Sequence, residues 1–176
     1  MRNLLRKIPK IPKVPAHRYA VFFASMGVVT VLDQFTKELA IIWLKGRIPI
    51  AFLDNFFRFE YAENPGAFLG LGSSLNPATR FLLMTIAVAL ILVFCGAYVL
   101  WDKTMPKIAT LGFSMVVAGG FSNLLDRIFR TEGRVVDFMN MGIGTLRTGI
   151  FNIADMAIMA GIFIVFFQSF KPQPKR

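Results

Sequence analysis

Residues 81–101 read FLLMTIAVALILVFCGAYVLW, twenty-one consecutive positions without a charged side chain. At about 1.5 Å of rise per residue, such a helix covers about 30 Å, the thickness of a bilayer's hydrocarbon core. This stretch predicts a transmembrane helix and sets the class of the chain. Working outward from it, 108–125 is a second uncharged run, in which Gly112, Ala118, Gly119 and Gly120 would let another helix approach closely. Residues 149–170 are apolar except for Asp155, and 19–44 are apolar except around Asp33, Gln34, Thr36, Lys37 and Glu38. The expectation is an all-α integral membrane protein with four spans, about 19–44, 81–101, 108–127 and 149–170, forming one unit over 19–170 with basic tails at 1–18 and 171–176. Polar Asp33 and Lys37 near the end of the first apolar run, with no small-residue cleavage site after it, argue against a cleaved leader.

Composition agrees. Hydrophobic residues make up 55% of the 176 and charged ones 17%, too apolar for an ordinary soluble domain, and 19 Phe exclude a disordered chain. A lone cysteine, Cys95, excludes an internal disulfide. The net charge of +10 would alone suggest nucleic acid or an anionic membrane surface, and its distribution decides between them. Six basic residues lie in 1–18 (Arg2, Arg6, Lys7, Lys10, Lys13, Arg18), Lys103 and Lys107 in the link 102–107, and Lys171, Lys175 and Arg176 at the end. Those segments hold eleven cations and one acid, Asp102, whereas the rest of the chain is formally neutral. By the positive-inside rule all three are cytoplasmic, as four spans require, so the surplus is an orientation signal and no nucleic-acid partner is expected. Pro9, Pro12 and Pro15 make the first tail a flexible tether near anionic lipid. The loops 45–80 and 128–148 then face outward. In the first, 48–53 and 57–61 alternate apolar and polar residues around the turn-prone Asp54-Asn55, predicting a small β-hairpin on the membrane surface. Its aromatics fit equally as interfacial anchors.

Most catalytic chemistries lack parts. The sole histidine, His17, lies in the basic tail, Cys95 lies mid-span without an ionisable neighbour, and no phosphate-cradling glycine loop occurs. No cofactor or metal is expected. A Ser/Lys pair from Ser122 or Thr36 with Lys37 is formally available without support from spacing. What remains is Asp33, Asp126, Asp137 and Asp155, all at the outer ends of spans or in the loop beside them. A charge at membrane depth costs about 2.5–3.5 kcal/mol on insertion scales, so each needs a partner or a task. Asp33 with Lys37 is an i,i+4 pair, and Asp126 with Arg127 reads equally as a local salt bridge. Asp155, with Asn152 one turn earlier, and Asp137, between Val136 and Phe138, have no such explanation. Two carboxylates held together share a proton, one acting as base and the other as acid, which suffices to hydrolyse an amide without a covalent intermediate. A small proton-coupled transporter is the main alternative, although a relay would spread its polar groups through the bilayer; a scaffold using the aspartates as helix glue is another.

Five ordered blocks now resemble a family: Asp33-Gln34-Phe35-Thr36-Lys37; Asn64-Pro65-Gly66-Ala67-Phe68; Gly119-Gly120-Phe121-Ser122-Asn123-Leu124-Leu125-Asp126-Arg127; Gly133-Arg134-Val135-Val136-Asp137-Phe138; and Phe151-Asn152-Ile153-Ala154-Asp155. Together they resemble bacterial lipoprotein signal peptidase, signal peptidase II. The resemblance implies a monomeric inner-membrane aspartic endopeptidase that removes the signal peptide from diacylglyceryl-modified prolipoproteins, cutting before the lipidated cysteine, and that globomycin inhibits. It implies Asp137 and Asp155 as the catalytic pair and Asn152 as its support. Asn123, Asp126 and Arg127 would hold the site and contact substrate, with Asn64 and Gly66 in the loop over it, and Asp33 and Lys37 structural or near the substrate. The hairpin at 48–61 would be an extracytoplasmic cradle.

Overall fold

The structure is a computed structural model and describes residues 15–66, 72 and 74–170. Tail residues 1–14 and 171–176, and Ala67-Phe68 of the second block, lie outside those described. Helix α1 runs Ala16–Leu44, α2 Pro77–Trp101, α3 Lys107–Phe129 and α4 Ile153–Ser169. The first three are long and apolar enough to cross a membrane. At 17 residues α4 reaches about 25 Å and is shorter than the expected 149–170. The difference lies at its start, where Phe151 is extended and bridges Met139 instead of turning into helix. Within α2, Leu82–Ala87 form a π-helical turn, one residue wider than α-helix.

The connections form one antiparallel sheet in the order β1–β2–β3–β4, with β1 Ile50–Phe52, β2 Phe57–Asn64, β3 Val135–Ile143 and β4 Leu146–Arg147. The first hairpin is the expected one. Its turn places Leu53, Asp54 and Asn55 in the left-handed region, which Asp and Asn tolerate best among residues with a side chain. The second hairpin is not expected from the sequence, where 128–148 reads as a loop. Val135-Val136 and Phe138-Met139 nonetheless favour a strand, and β3 supplies the partner that a three-residue β1 alone could not.

α3 lies between the other helices. On one side it packs against α4 through glycines: a side chain at Gly112 would meet the Gly161 carbonyl oxygen at 2.9 Å, and one at Gly119 would run into the carbonyl of Ala154. Small residues let helices approach this closely where water supplies no hydrophobic drive. Two apolar clusters close the ends. Phe22, Val99, Met105, Ala109 and Val117 join α1, α2 and α3 at the end away from the sheet, while Ala40 and Leu44 of α1 pack beneath Phe138 and Met139 at the sheet end.

Candidate active site

The expected residues meet at the sheet end of α1, α3 and α4. Asn152 caps α4: its side-chain oxygen accepts the Asp155 backbone N–H at 2.9 Å, and Asp155 Oδ2 accepts the Asn152 backbone N–H at 3.1 Å. This reciprocal pair satisfies two of the four N–H groups that a helix start leaves open. It also fixes Asp155 on the first turn. With its oxygen engaged, the Asn152 amide nitrogen points at β3, donating to Asp137 Oδ1 at 2.6 Å and to the Val136 carbonyl at 3.2 Å. Asn152 therefore bonds both aspartates. The Asn123/Asp126 spacing in α3 echoes this pair in sequence only, since there it lies inside a helix and makes no cap.

Asp137 is buried on β3, and its other oxygen accepts from Asn64 Nδ2 at 3.1 Å. Burial first, and the Asp155 charge second, push its carboxyl up to about 7, against the opposing pull of the Asn64 and Asn152 donors. Asp155 Oδ1 accepts from Asn123 Nδ2 at 2.9 Å.

Behind the pair lies a buried ionic cluster. Lys37 Nζ is 2.7 Å from Asp33 Oδ2, 2.9 Å from Asp126 Oδ2 and 2.9 Å from Asn123 Oδ1. Asp33 also accepts from Ser122 Oγ at 2.7 Å and from the Ala154 backbone N–H at 2.9 Å, tying α1 to α3 and α4. Asp126 accepts from Arg130 Nε at 2.8 Å, Gln34 at 3.0 Å and the Val136 backbone N–H at 3.1 Å, tying α3 to α1 and β3. The i,i+4 pairing of Asp33 with Lys37 is present. The alternative pairing of Asp126 with Arg127 is not: Asp126 turns inward to Lys37 and Arg130, while Arg127 donates to the carbonyls of Pro65, Gly66 and Gly133. Arg127 thus holds the loop that follows Asn64, which is itself the last residue of β2 rather than part of that loop, and whose side-chain oxygen accepts the Gly66 backbone N–H at 2.9 Å. A Ser/Lys pair is not assembled either, because the Ser122 hydroxyl donates to Asp33 and that of Thr36 to the carbonyls of Leu32 and Asp33. Sequence reasoning misses Gln34, Arg130 and the part taken by Ser122. For Arg130 the signal exists, as it stands four residues after Asp126 at the end of α3.

Beside this network, between the first turns of α2 and the end of α3, opens a cleft of about 450 Å³ lined by Arg80, Phe81, Met84, Thr85, Arg127 and Glu132. Buried Thr85 belongs to the π turn, a distortion frequent at functional sites.

Comparison with known proteins gives the family. The family model described as "Signal peptidase (SPase) II" matches residues 25–171. A lipoprotein signal peptidase of Pelodictyon phaeoclathratiforme is 35% identical over 150 residues, covering 80% of this chain and 85% of its own. One from Chlorobium phaeobacteroides is 33% identical, over 86% and 92%, and one from Syntrophus aciditrophicus 33%, over 89% and 96%. In fold, the chain is similar to a bacterial membrane enzyme determined by the in meso method at 2.3 Å resolution, with a TM-score of 0.70, 24% identity and coverage of 89% and 95%. With the family model running from within α1 through the sheet to the end of α4, the chain belongs to the signal peptidase II family, the lipoprotein signal peptidases.

Proposed function

We propose that the chain removes the signal peptide from prolipoproteins by a water attack run by Asp137 and Asp155. The observation carrying this reading is that one residue, Asn152, bonds both carboxylates, although they come from a strand and a helix. Two acids so held favour the state in which one is ionised and the other protonated. The ionised member takes a proton from water as the water oxygen bonds to the scissile carbonyl carbon, and the protonated member gives its proton to the carbonyl oxygen. The tetrahedral adduct collapses as the C–N bond breaks and the amine leaves with a proton from the pair. The apparent acid constants belong to the pair.

Arg127, Asn123, Asn64 and Gly66 support the site and border the substrate, and Asp33, Lys37 and Asp126 brace it. The substrate is a diacylglyceryl-modified prolipoprotein cut before its lipidated cysteine, taken from the bilayer by a monomer, and a globomycin-type inhibitor occupies the same place. The reading includes four spans, about 19–44, 81–101, 108–127 and 149–170, with tails 1–18 and 171–176 cytoplasmic in the inner membrane and the dyad at the extracytoplasmic face. The transporter reading lacks support, since the acids gather at one end of the bundle.

Asp137→Asn and Asp155→Asn each abolish cleavage of a lipidated prolipoprotein by purified protein while the thermal transition persists. Turnover in either would sink the dyad. For orientation, in a Cys95→Ala background, a membrane-impermeant thiol reagent applied outside labels a cysteine placed at Asn76 and not one at Thr104, and the reverse result would invert the topology.

A further inference from the structure

An ammonium group has three donors and no acceptor, and Lys37 uses all three inside the protein: two on the carboxylates of Asp33 and Asp126, and the third on the side-chain oxygen of Asn123 at 2.9 Å. With Arg130 on the far oxygen of Asp126, the four charges cancel. The third bond is the informative one, because it leaves the ionic cluster and enters the frame of the dyad. An asparagine amide can face either way, and only an unambiguous donor or acceptor decides which. Lys37 is such a donor. It forces oxygen toward itself and toward the Asn152 amide at 3.1 Å, which leaves Asn123 Nδ2 facing Asp155 Oδ1 at 2.9 Å. Reversing Asn123 would set its NH2 against an ammonium and another NH2 together.

The two aspartates therefore sit in unequal settings. Asp155 receives the amide that Lys37 orients, receives a backbone N–H from Asn152, and lies in the first turn of α4, where the helix dipole favours negative charge. Asp137 is the more buried, lies on a strand that offers no such dipole, and among the described residues accepts only side-chain amides. We propose that Lys37 is a positioning residue which, through the amide of Asn123, makes Asp155 the carboxylate that takes the proton of water and Asp137 the acid that protonates the carbonyl, a division of labour resting on the dyad proposed above. Lys37 touches neither substrate nor water in this scheme.

The test removes the relay and keeps the charge balanced. In Lys37→Met/Asp33→Asn one cation and one anion go together, leaving Asp126 paired with Arg130. Cleavage of a lipidated prolipoprotein should show kcat down about tenfold or more, KM within about twofold, and the acidic limb of the kcat profile moved to higher pH, because Asp155 has lost an oriented donor. An unchanged enzyme overturns the proposal, and so does a fall in kcat with the limb unmoved, which is what mere bracing would give. A second measurement does not depend on that variant folding. At about pH 5, above the ordinary aspartate range, the carboxylic-acid infrared band should persist in Asp155→Asn and vanish in Asp137→Asn; the opposite pattern overturns the division of roles. Turnover by either asparagine variant removes the dyad itself, whereas two inactive asparagine variants beside an unaltered double variant remove only the part given to Lys37.

Discussion

Helices α2 and α3 lie side by side, yet 17% of the apolar window of α2 is buried inside the protein against 56% of that of α3. The more apolar helix is the peripheral one. Leu90, Val93 and Phe94 of α2 point outward, while α3 turns Gly112, Ser114, Ala118, Gly119, Ser122 and Asp126 inward. In water the greasiest segment would seek the core. In lipid the outside is as apolar as leucine, so what selects the interior is smallness, which permits close approach, and polarity, which requires partners. The most legible span is therefore the least informative about chemistry, and the span interrupted by Ser122, Asn123 and Asp126 carries residues of the proposed site.

That contrast can be broken experimentally, and the largest effect should come from the inner helix. Gly119→Val drives its side chain into the Ala154 carbonyl and to about the position of Ile158 Cγ1, 2.8 Å from the new Cβ. Overpacking of this kind costs about 1–3 kcal/mol or more and here displaces the first turn of α4, so turnover should be lost along with a marked fall in Tm. Next is the pH dependence. The acid role needs Asp137 protonated, and with its carboxyl at about 7 the protonated fraction drops as pH rises through that value. The rate should hold just below it and fall about tenfold per unit above it, measured as kcat against pH in detergent or vesicles. A rate flat to about pH 9 would contradict that role. The smallest effect belongs to the contact between α2 and α1. A Cβ on Gly96 meets Phe22 at 3.5 Å, ordinary van der Waals contact, so Gly96→Ala should change Tm and turnover little, within about 0.5 kcal/mol. If Gly119→Val proved as mild as Gly96→Ala, the assignment of α3 as the inner helix would fall.

Much of this is legible in the amino-acid sequence, for reasons tied to particular residues. The uncharged runs 81–101 and 108–125 fall within α2 and α3, and 19–44, apolar except around Asp33 to Glu38, falls within α1, because a lack of charge is a local property. The alternation at 48–61 marks the first hairpin, and the lack of any nearby partner singles out Asp137 and Asp155, which the structure brings together on Asn152. The second hairpin is harder to see: β3 is nearly continuous in apolar residues from Val135 to Met139 apart from Asp137, and without alternation it shows no strand period. Nor does local spacing reveal the bonds of Lys37 to Asp126 and Asn123, or of Gln34 to Asp126, since residues some ninety positions apart meet only once α1 packs on α3. Arg127 misleads for the same reason. Adjacency to Asp126 invites a salt bridge, but successive helical residues point in different directions, and two of its carbonyl partners, Pro65 and Gly66, lie in a loop some sixty residues away.

The bridge between Met139 and Phe151 has a further consequence for how the chain between the two aspartates can vary. Phe138 and Met139 donate to the Phe151 carbonyl and Phe151 donates back to Met139, so both ends of this segment are clamped just beside Asp137 and Asp155. Beyond the clamp the second hairpin runs out to an exposed tip at Ile143 and Leu146, with Gly144 in the left-handed region and open space around it. Length added at Gly144 need not propagate past Phe151. The tip is therefore the natural place for relatives to differ in size, and for an epitope or fluorophore to be carried by a working enzyme.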